Sequence, residues 1–251
     1  MVRLGQNFLA DTNLLDAIVR ESGVGTADVV LEVGAGEGVL TRRLAAAAGH
    51  VHAIELDRGL SGALSDIGAR PNVDLHWADV LRFDLGELRP APTAVVANLP
   101  YSVATPVIVR TLLELPSVGT WTVMVQREIA DRLRAQAGSR LYGAPSAILQ
   151  TAADVTLARR VDPAVFKPRP RVESAILRIE RTAPPPPQGA RTLVREAFAH
   201  RRKSLPRSLE LAQPGRIDAV RSALRDLGLP EDARAERLSP QDFLALAAKI
   251  D

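Results

Sequence analysis

Short apolar runs recur along the first part of the chain and are separated by longer stretches with apolar residues at helical spacing. The runs at 29–33, 51–54 and 94–97 consist mainly of Val, Ile, Leu and Ala, and residues 73–77 alternate apolar and polar side chains. Runs of this length and composition predict strands. Between the first two runs, a glycine-rich turn leads into a stretch that is typical of a helix. The alternation of strand and helix predicts an α/β protein.

The start and the end of the chain predict helices. Asp11 or Thr12 can cap a helix, and the residues that follow at helical spacing are apolar: Leu14, Leu15, Ile18 and Val19. After predicted strands near 155–161 and at 175–180, four consecutive prolines at 184–187 are typical of a stiff linker. Amphipathic stretches around 192–199, 217–227 and 240–250 come next. We therefore predict two domains, residues 1–183 and a small helical domain of residues 184–251.

A glycine-rich turn follows the first strand. Gly34, Gly36 and Gly38 have the spacing G-x-G-x-G, and glycine permits both positive φ and a close approach of backbone to ligand. The next strand ends in Glu55, a position from which a carboxylate can bind the hydroxyls of a ribose. Strand, glycine turn, helix, strand and acidic end together predict one nucleotide-binding βαβ unit.

Two carboxylates near this turn bear on which nucleotide it binds. Dinucleotides are bound by G-x-G-x-x-G turns that place a pyrophosphate on a helix N-terminus. Here Glu32 and Glu37 flank or occupy the turn, so they would repel a pyrophosphate and attract a cation. S-adenosylmethionine carries a sulfonium and an amino group beside a ribose and an adenine, and we expect it as the cofactor. A glycine turn without a ligand is the alternative.

Two further strand ends carry polar side chains. Asp79 follows the third strand and can accept from an adenine amino group or cap a turn. Asn98 ends the fourth strand, and Leu99-Pro100-Tyr101 continues it as a stiff turn, because proline has no amide hydrogen and restrains the residue before it. The turn presents an amide, carbonyls and an aromatic ring, which suit an amino group on a flat ring. Since such strand ends share one edge of a sheet, the glycine turn, Glu55, Asp79 and Asn98 are predicted to lie together.

Composition and charge narrow the setting. The chain has 251 residues, a net charge of +3 and no cysteine, which excludes disulfides and thiolate metal sites. No apolar run approaches the roughly 18 residues that span a bilayer, and the first residues lack a signal-peptide layout. We expect a cytoplasmic protein that does not enter a membrane. The four histidines, His50, His52, His76 and His200, are scattered, and we interpret them as structural or surface residues and expect no metal.

Basic residues are concentrated in the last part of the chain. Between Arg195 and Arg207 there are five basic residues and one acidic residue. Such patches attract phosphate backbones. The central cluster, Arg201, Arg202 and Lys203, is the candidate contact to a nucleic-acid backbone; sealing of the small domain is the other interpretation.

Several segments, in order, resemble the successive motifs of one family, the small-subunit ribosomal RNA adenine N6,N6-dimethyltransferases, which are related to the large-subunit erythromycin-resistance methyltransferases. The segments are Gly5-Gln6-Asn7-Phe8-Leu9, Glu32-Val33-Gly34-Ala35-Gly36, Ile54-Glu55-Leu56-Asp57, Asn98-Leu99-Pro100-Tyr101, Val125-Gln126-Arg127-Glu128, Tyr142-Gly143, Phe166-Lys167-Pro168-Arg169-Pro170, Val172-Glu173-Ser174-Ala175 and Phe198-Ala199-His200-Arg201-Arg202-Lys203. No single motif is specific, but the ordered set is.

The resemblance implies a fold and an activity. The fold is the class I S-adenosylmethionine-dependent methyltransferase fold, a Rossmann-like, mostly parallel seven-stranded sheet, with a small α-helical C-terminal domain. The enzyme would dimethylate N6 of two adjacent adenosines near the 3′ end of small-subunit (16S) rRNA during subunit biogenesis. Its partner would be rRNA within an assembling subunit, and we expect a monomer.

The resemblance also implies roles for individual residues. Cofactor contacts carry over to Gln6, Asn7, Leu9, Gly34, Gly36, Glu55, Asp79 and Asn98. The target adenine would be held by Asn98, Leu99, Pro100 and Tyr101, with Phe166 as a second aromatic residue.

Several alternatives remain open at this point. Large-subunit rRNA adenine methylation is the nearest, and a non-catalytic RNA-binding assembly factor on the same fold is another. A small-molecule or protein methyltransferase is disfavoured by the basic clusters and by Phe166. A DNA adenine methyltransferase is disfavoured because those enzymes usually carry proline where this chain has Leu99.

Overall fold

The computed structural model describes residues 8–9, 11–167, 169–170 and 172–250. Contacts divide the chain into two compact units. The first comprises the described residues up to Ala130 together with Val155–Arg181. The second comprises Asp131–Asp154 together with the described residues from Thr182 onward. Among all the residues just specified, no helix has the length and apolar character needed to cross a membrane.

The strands form one large sheet and one small one. They are β1 (Phe8–Leu9), β2 (Val29–Val33), β3 (His50–Glu55), β4 (Val73–Trp77), β5 (Ala94–Asn98), β6 (Thr120–Gln126), β7 (Ala153–Val161), β8 (Phe166–Lys167) and β9 (Ser174–Arg181). The large sheet has seven strands in the order β4-β3-β2-β5-β6-β9-β7. Neighbours from β4 to β6 are parallel, and β9 runs antiparallel to β6. The mostly parallel seven-stranded sheet implied by the family resemblance is therefore confirmed. The short strands β1 and β8 pair antiparallel in the small sheet.

The strand order reverses between β2 and β5. From β2 the chain proceeds outward through β3 to β4, then returns to place β5 on the other side of β2. At such a reversal the connections that leave the two central strands diverge, which opens a crevice at the carboxyl ends of the strands. The crevice is bounded by the turn after β2 and the turn after β5.

The helices of the chain are mostly short. They are α1 (Thr12–Ser22), α2 (Val39–Ala47), α3 (Ser61–Gly68), α4 (Ala104–Glu114), α5 (Arg127–Leu133), α6 (Ala144–Gln150), α7 (Gln188–Ala199), α8 (Leu205–Ala212), α9 (Ile217–Asp226) and α10 (Pro240–Ile250). The predicted cap of α1 is confirmed: Asp11 Oδ1 accepts from the Leu14 amide at 3.1 Å. The core of the first unit joins the apolar sides of α1, α2 and α3 to the sheet.

The second unit is helical and has its own core. The helix α7 packs against α6, α8 and α10, and α9 packs against α8 and α10. At its centre, Phe198 lies between Tyr142 and Phe243, with ring centroids 5.8 and 5.9 Å away. Residues 131–154, which the sequence pattern grouped with residues 1–183, thus make their compact contacts with the C-terminal helices. The reason is the apolar side of α6, where Ala147, Ile148 and Leu149 are buried.

Candidate active site

A cavity of about 440 Å³ lies at the carboxyl ends of the central strands. Its walls come from the turns after β2, β3, β4 and β5. Gly34, Glu55, Asp79 and Asn98 all line it, one from each turn or strand end. The structure therefore brings together the polar strand ends that the sequence predicted to share one edge. All of the lining belongs to the first compact unit.

The glycine turn makes the floor of the cavity and touches the opposite wall. Gly34 has φ of 79°, and its amide continues the ladder by donating to the Ile54 carbonyl at 2.8 Å. A Cβ on Gly34 would lie 3.2 Å from Cδ of Pro100 and 3.3 Å from its Cγ. Glycine is required here for two reasons, since the backbone is left-handed and the turn after β5 leaves no room.

Glu55 ties the glycine turn to the end of β3. Its side chain is buried, with 4% exposed. One carboxylate oxygen accepts from the Gly36 amide at 2.9 Å, and the other accepts from the Asp57 amide at 2.8 Å. Each oxygen has a further lone pair, so the carboxylate can still accept from hydroxyl groups in the cavity.

Glu32 is the most perturbed carboxyl group of the cavity. It is 1% exposed, and its Oε2 has no hydrogen-bond partner among the described residues. Burial raises the pKa of Glu32 to about 8, the Thr41 hydroxyl opposes that rise, and the negative charge of Glu55 adds to it. At neutral pH this group is therefore mostly a neutral acid, and a cation beside it would favour the ionised form. Glu32 therefore does not carry the full negative charge expected from its sequence position.

Asp79 shapes the turn that follows β4. Its Oδ1 accepts from the Leu81 amide at 2.9 Å, and its carbonyl accepts from the amides of Arg82 and Phe83. Asp79 thus caps the turn with one of its carboxylate oxygens, as one of the two interpretations predicted. The residue also lines the cavity, as do Val80 and Leu56.

The segment after β5 forms the rim of the cavity. Asn98 is the last residue of the strand and is partly exposed, whereas Leu99 is buried and its amide donates to the Met124 carbonyl at 3.1 Å. The Pro100 carbonyl accepts from the Val103 amide at 3.1 Å, which closes the turn. Leu99 thereby anchors the segment, and all four residues from Asn98 to Tyr101 line the cavity.

A hydrogen bond from the neighbouring part of the sheet holds the ring of Tyr101. The Tyr101 hydroxyl lies 2.8 Å from Oγ of Ser174, which is the buried first residue of β9. β9 pairs with β6, and β6 pairs with β5, so three adjacent strands fix the ring relative to Asn98. Ser174 lies in the Val172-Glu173-Ser174-Ala175 motif, but nothing in the local sequence indicated this contact.

Phe166 is not brought to the cavity. It is 2% exposed, belongs to the core of the first unit and pairs with Leu9 between β8 and β1. Its part in holding an adenine stays a prediction. Gln6 and Asn7 lie outside the described residues; of Leu9 the structure describes only the backbone position in β1.

The basic cluster Arg201, Arg202 and Lys203 belongs to the second unit and is exposed. Arg201 donates from Nη2 to the Arg140 carbonyl at 2.7 Å. Arg140, Arg201 and Arg237 line an open pocket of about 480 Å³, and Glu236 also belongs to its lining. The pocket is lined by arginines from three separate segments of the chain, which sequence spacing did not indicate.

Sequence reasoning missed several apolar residues of the first cavity. Leu56 is 54% exposed although it is large and apolar, and Leu15 reaches the cavity from α1. An available signal was the position of Leu56 directly between the acidic Glu55 and Asp57, where no strand continues to bury it. Leu15 carried no signal, because its helical spacing indicates only burial.

The hydrogen-bond acceptors and apolar side chains that line the cavity fit a cationic nucleoside such as S-adenosylmethionine. The cavity lining includes Glu32, whose Oε2 has no hydrogen-bond partner in the described part of the chain, and the carboxylates of Glu55 and Asp79. Leu56 and Val80 supply apolar walls for a base. The close contact between the glycine turn and Pro100 leaves no gap between the floor and the Asn98 rim.

Comparisons with known proteins agree on one family. A profile described as ribosomal RNA adenine dimethylase matches residues 2–251. A curated relative from Rubrobacter xylanophilus, named ribosomal RNA small subunit methyltransferase A, is 46% identical over 252 residues, which is 99% of this chain and 94% of the relative.

Two solved structures resemble the fold over nearly the whole chain. A dimethyladenosine transferase from Plasmodium falciparum has a TM-score of 0.79 at 22% identity and covers 95% of each chain. The 23S rRNA methyltransferase ErmE has a TM-score of 0.69 at 29% identity and covers 98% of this chain and 100% of its own. At 22% identity the first similarity shows a shared fold alone.

Proposed function

The chain belongs to the ribosomal RNA adenine dimethylase family, and on that premise we propose that it uses S-adenosylmethionine to dimethylate N6 of two adjacent adenosines near the 3′ end of 16S rRNA. The reaction would serve assembly of the small subunit. The observation that carries the proposal is the convergence of Gly34, Glu55, Asp79 and Asn98 on one cavity. The 46% identity to a small-subunit methyltransferase, against 29% to the 23S enzyme, supports the small-subunit substrate.

The cofactor-binding residues divide by the chemistry that they offer. Glu55 would accept from the ribose hydroxyls, because its oxygens are already oriented by the Gly36 and Asp57 amides. Asp79 would accept from the adenine amino group while Leu56 and Val80 contact the base. Gly34 and Gly36 let the chain approach closely. Gln6, Asn7 and Leu9 stay predicted contacts.

The target amino group needs orientation more than it needs a base. An adenine N6 is a poor nucleophile, because its lone pair is delocalised into the ring. We expect the side-chain oxygen of Asn98 and a carbonyl of the 98–101 turn to accept its hydrogens, which favours a pyramidal nitrogen. S-adenosylmethionine, when bound, supplies an electrophilic methyl group on a sulfonium. Holding the nitrogen in line with that methyl contributes on the order of 7–11 kcal/mol in well-aligned reactions.

Tyr101 would stack on the extruded adenine. Stacking on an aromatic ring contributes roughly 1–3 kcal/mol per base, which is comparable to the few kcal/mol that extrusion costs. The hydrogen bond from Tyr101 to Ser174 fixes the ring before the base arrives. The buried position of Phe166 means that a stacking role for it requires the β8 segment to move.

The second unit would bind the phosphate backbone of the RNA. Arg201, Arg202 and Lys203 are exposed, and Arg140 and Arg237 extend the positive surface next to Arg201. Exposed guanidinium groups bind phosphate in a salt-dependent way and carry no sequence information by themselves. Target choice would therefore depend on the adenine site together with the shape of the assembling subunit.

The direct test is methyl transfer to under-methylated small subunits. Subunits are incubated with protein and S-adenosylmethionine, and rRNA nucleosides are quantified by mass spectrometry. We expect N6,N6-dimethyladenosine with the wild-type chain. Asn98→Ala should lower the rate by about 100-fold or more, since misplacement of a reacting atom by 1 Å costs about that much.

A matched control keeps this test specific. Asn13→Ala makes the same chemical change at an exposed position of α1 and should leave the rate unchanged. Dimethyladenosine in large subunits but not in small ones would make the chain a 23S enzyme. No methylation of either subunit, by a protein that binds RNA, would instead support an assembly factor.

A further inference from the structure

Three of the four histidines lie together on β3 and β4, so the interpretation that they are scattered is wrong for them. His50 and His52 are two residues apart on β3, so they share one face of the sheet. Asp74 on β4 is the register partner of His52. His76 lies two residues beyond Asp74 on the same face of the sheet. The ring centroid of His52 lies 4.6 Å from that of His50 and 5.5 Å from that of His76.

Three atoms of this cluster have the spacing of metal ligands. Oδ2 of Asp74 lies 3.0 Å from Nε2 of His50 and 3.6 Å from Nδ1 of His52, and the three atoms lie within 4.8 Å of one another. Ligands about 2.0–2.1 Å from a tetrahedral Zn²⁺ are about 3.4 Å apart. We propose that His50, His52 and Asp74 bind one Zn²⁺ ion on the β3–β4 pair.

The hydrogen bond on the far side of His52 prepares it as a ligand. Nε2 of His52 donates to the Pro90 carbonyl at 2.8 Å, because a carbonyl oxygen can only accept. In the neutral ring the lone pair is then on Nδ1, the atom that lies 3.3 Å from Nε2 of His76 and 3.6 Å from Oδ2 of Asp74. Metal-binding histidines commonly donate their other nitrogen to a carbonyl in this way, which fixes the tautomer and the ring orientation.

The burial of the cluster is graded from the core to the solvent. The side chain of His52 is 1% exposed, that of His50 is 18% exposed and that of Asp74 is 49% exposed. An ion can therefore enter past Asp74 and meet two imidazoles, of which that of His52 is held by its hydrogen bond to the Pro90 carbonyl. Two imidazoles and one carboxylate suit Zn²⁺, whereas Mg²⁺ and Ca²⁺ prefer oxygen ligands alone. A water molecule would complete the tetrahedron.

The role of the ion follows from the position of the strands. β4 ends the order of the large sheet, so it has a strand neighbour on one side. A metal that joins His50 and His52 to Asp74 would cross-link β4 to β3. His50 is five residues before Glu55, which is roughly 16 Å along a strand. The ion would therefore stabilise the sheet without touching the reacting atoms.

The test uses untagged, chelator-treated full-length protein titrated with Zn²⁺. We expect calorimetry to give one site per chain and the Tm to rise with Zn²⁺ but not with Mg²⁺. His50→Gln and Asp74→Asn should each weaken binding by at least the 10–100-fold that loss of an outer-shell partner causes. His200→Gln, at an exposed histidine outside the cluster, is the control and should bind like the wild type.

Co²⁺ gives a second readout that does not depend on stability. A four-coordinate site should give the intense visible absorption bands of tetrahedral cobalt, and His50→Gln should abolish them. Failure of Zn²⁺ to saturate at one equivalent, or equal affinity in all three variants, would overturn the proposal. The cluster would then be a hydrogen-bond network, in which His50 donates to Asp74 and His76 donates to His52 at 3.3 Å.

Discussion

At the scale of single residues, the surrounding fold strongly changes the pKa of Glu32. A glutamate in water has a pKa near 4.3, whereas burial raises the pKa of Glu32 to about 8. Between these two values the native chain holds a proton that the unfolded chain has lost. Stability therefore falls as pH rises through that window, by up to about 1.4 kcal/mol per pH unit.

Glu32→Gln should remove this pH dependence, because an amide of nearly the same shape does not titrate. Between pH 5 and 8 the free energy of unfolding of the variant should fall less steeply with pH than that of the wild type, so the variant gains on the wild type as the pH rises toward 8. Urea unfolding at several pH values between 5 and 8 measures the difference. Glu37→Gln, at an exposed position nearby, is the control, and an unchanged slope in Glu32→Gln would contradict the burial argument.

The side chain of Ser174 contacts the adenine site through its hydrogen bond to Tyr101. Ser174→Ala removes a hydrogen bond to Tyr101 that typically contributes about 1 kcal/mol. We expect a roughly fivefold rise in KM for the small subunit and unchanged binding of S-adenosylmethionine. Tyr101→Phe removes the same bond from the other side, so the double variant should be little worse than either single one. Additive losses would mean that the two hydroxyls act separately.

At the scale of elements, the contact between the turns after β2 and β5 sets the depth of the cavity. Gly34→Ala adds a carbon at 3.2 Å from Pro100 on a backbone with φ of 79°, which costs about 1–2 kcal/mol in the left-handed region. We expect lower stability and weaker cofactor binding, because the added carbon pushes the two turns apart.

Gly62→Ala provides the comparison for that variant. Gly62 lies in α3, and nothing lies within 4 Å of a carbon added there. Alanine is favoured over glycine in helices by about 0.5–1 kcal/mol, so this variant should be neutral or slightly stabilised. Thermal unfolding and cofactor titration of both proteins test the pair, and equal behaviour would exclude a special role for Gly34.

At the scale of the whole molecule, the second compact unit draws on two distant stretches of the chain. Tyr142 and α6 pack with Phe198 and Phe243 from the C-terminal helices. A fragment that ends at residue 183, the predicted domain boundary, should therefore expose the apolar side of α6 and aggregate. A fragment that ends at residue 181, with residues 131–154 replaced by a flexible linker, should be more soluble. Circular dichroism and size-exclusion chromatography compare the two, and a monomeric, folded 1–183 fragment would support the boundary taken from the sequence.

The sequence by itself determined the edge at which the cofactor site lies. Each of the strands that lead to Gly34, Glu55, Asp79 and Asn98 can be recognised from its local sequence pattern. Parallel strands place their carboxyl ends together whatever their order. The helices near 192–199, 217–227 and 240–250 were likewise readable from local spacing. The strand β6 and the helix α8 were not singled out, because neither is set off by a glycine or proline signal as clear as that at 184–187.

Only the tertiary structure decided which distant residues meet. The burial of Glu32, the bond from Ser174 to Tyr101, the position of Phe166 in the core and the pairing of His52 with Asp74 all depend on strand register and packing. Register is a relation between segments far apart in the chain, and residue spacing within one segment does not contain it. For this reason the sequence located the site, while the fold set the protonation and the orientation of the groups within it.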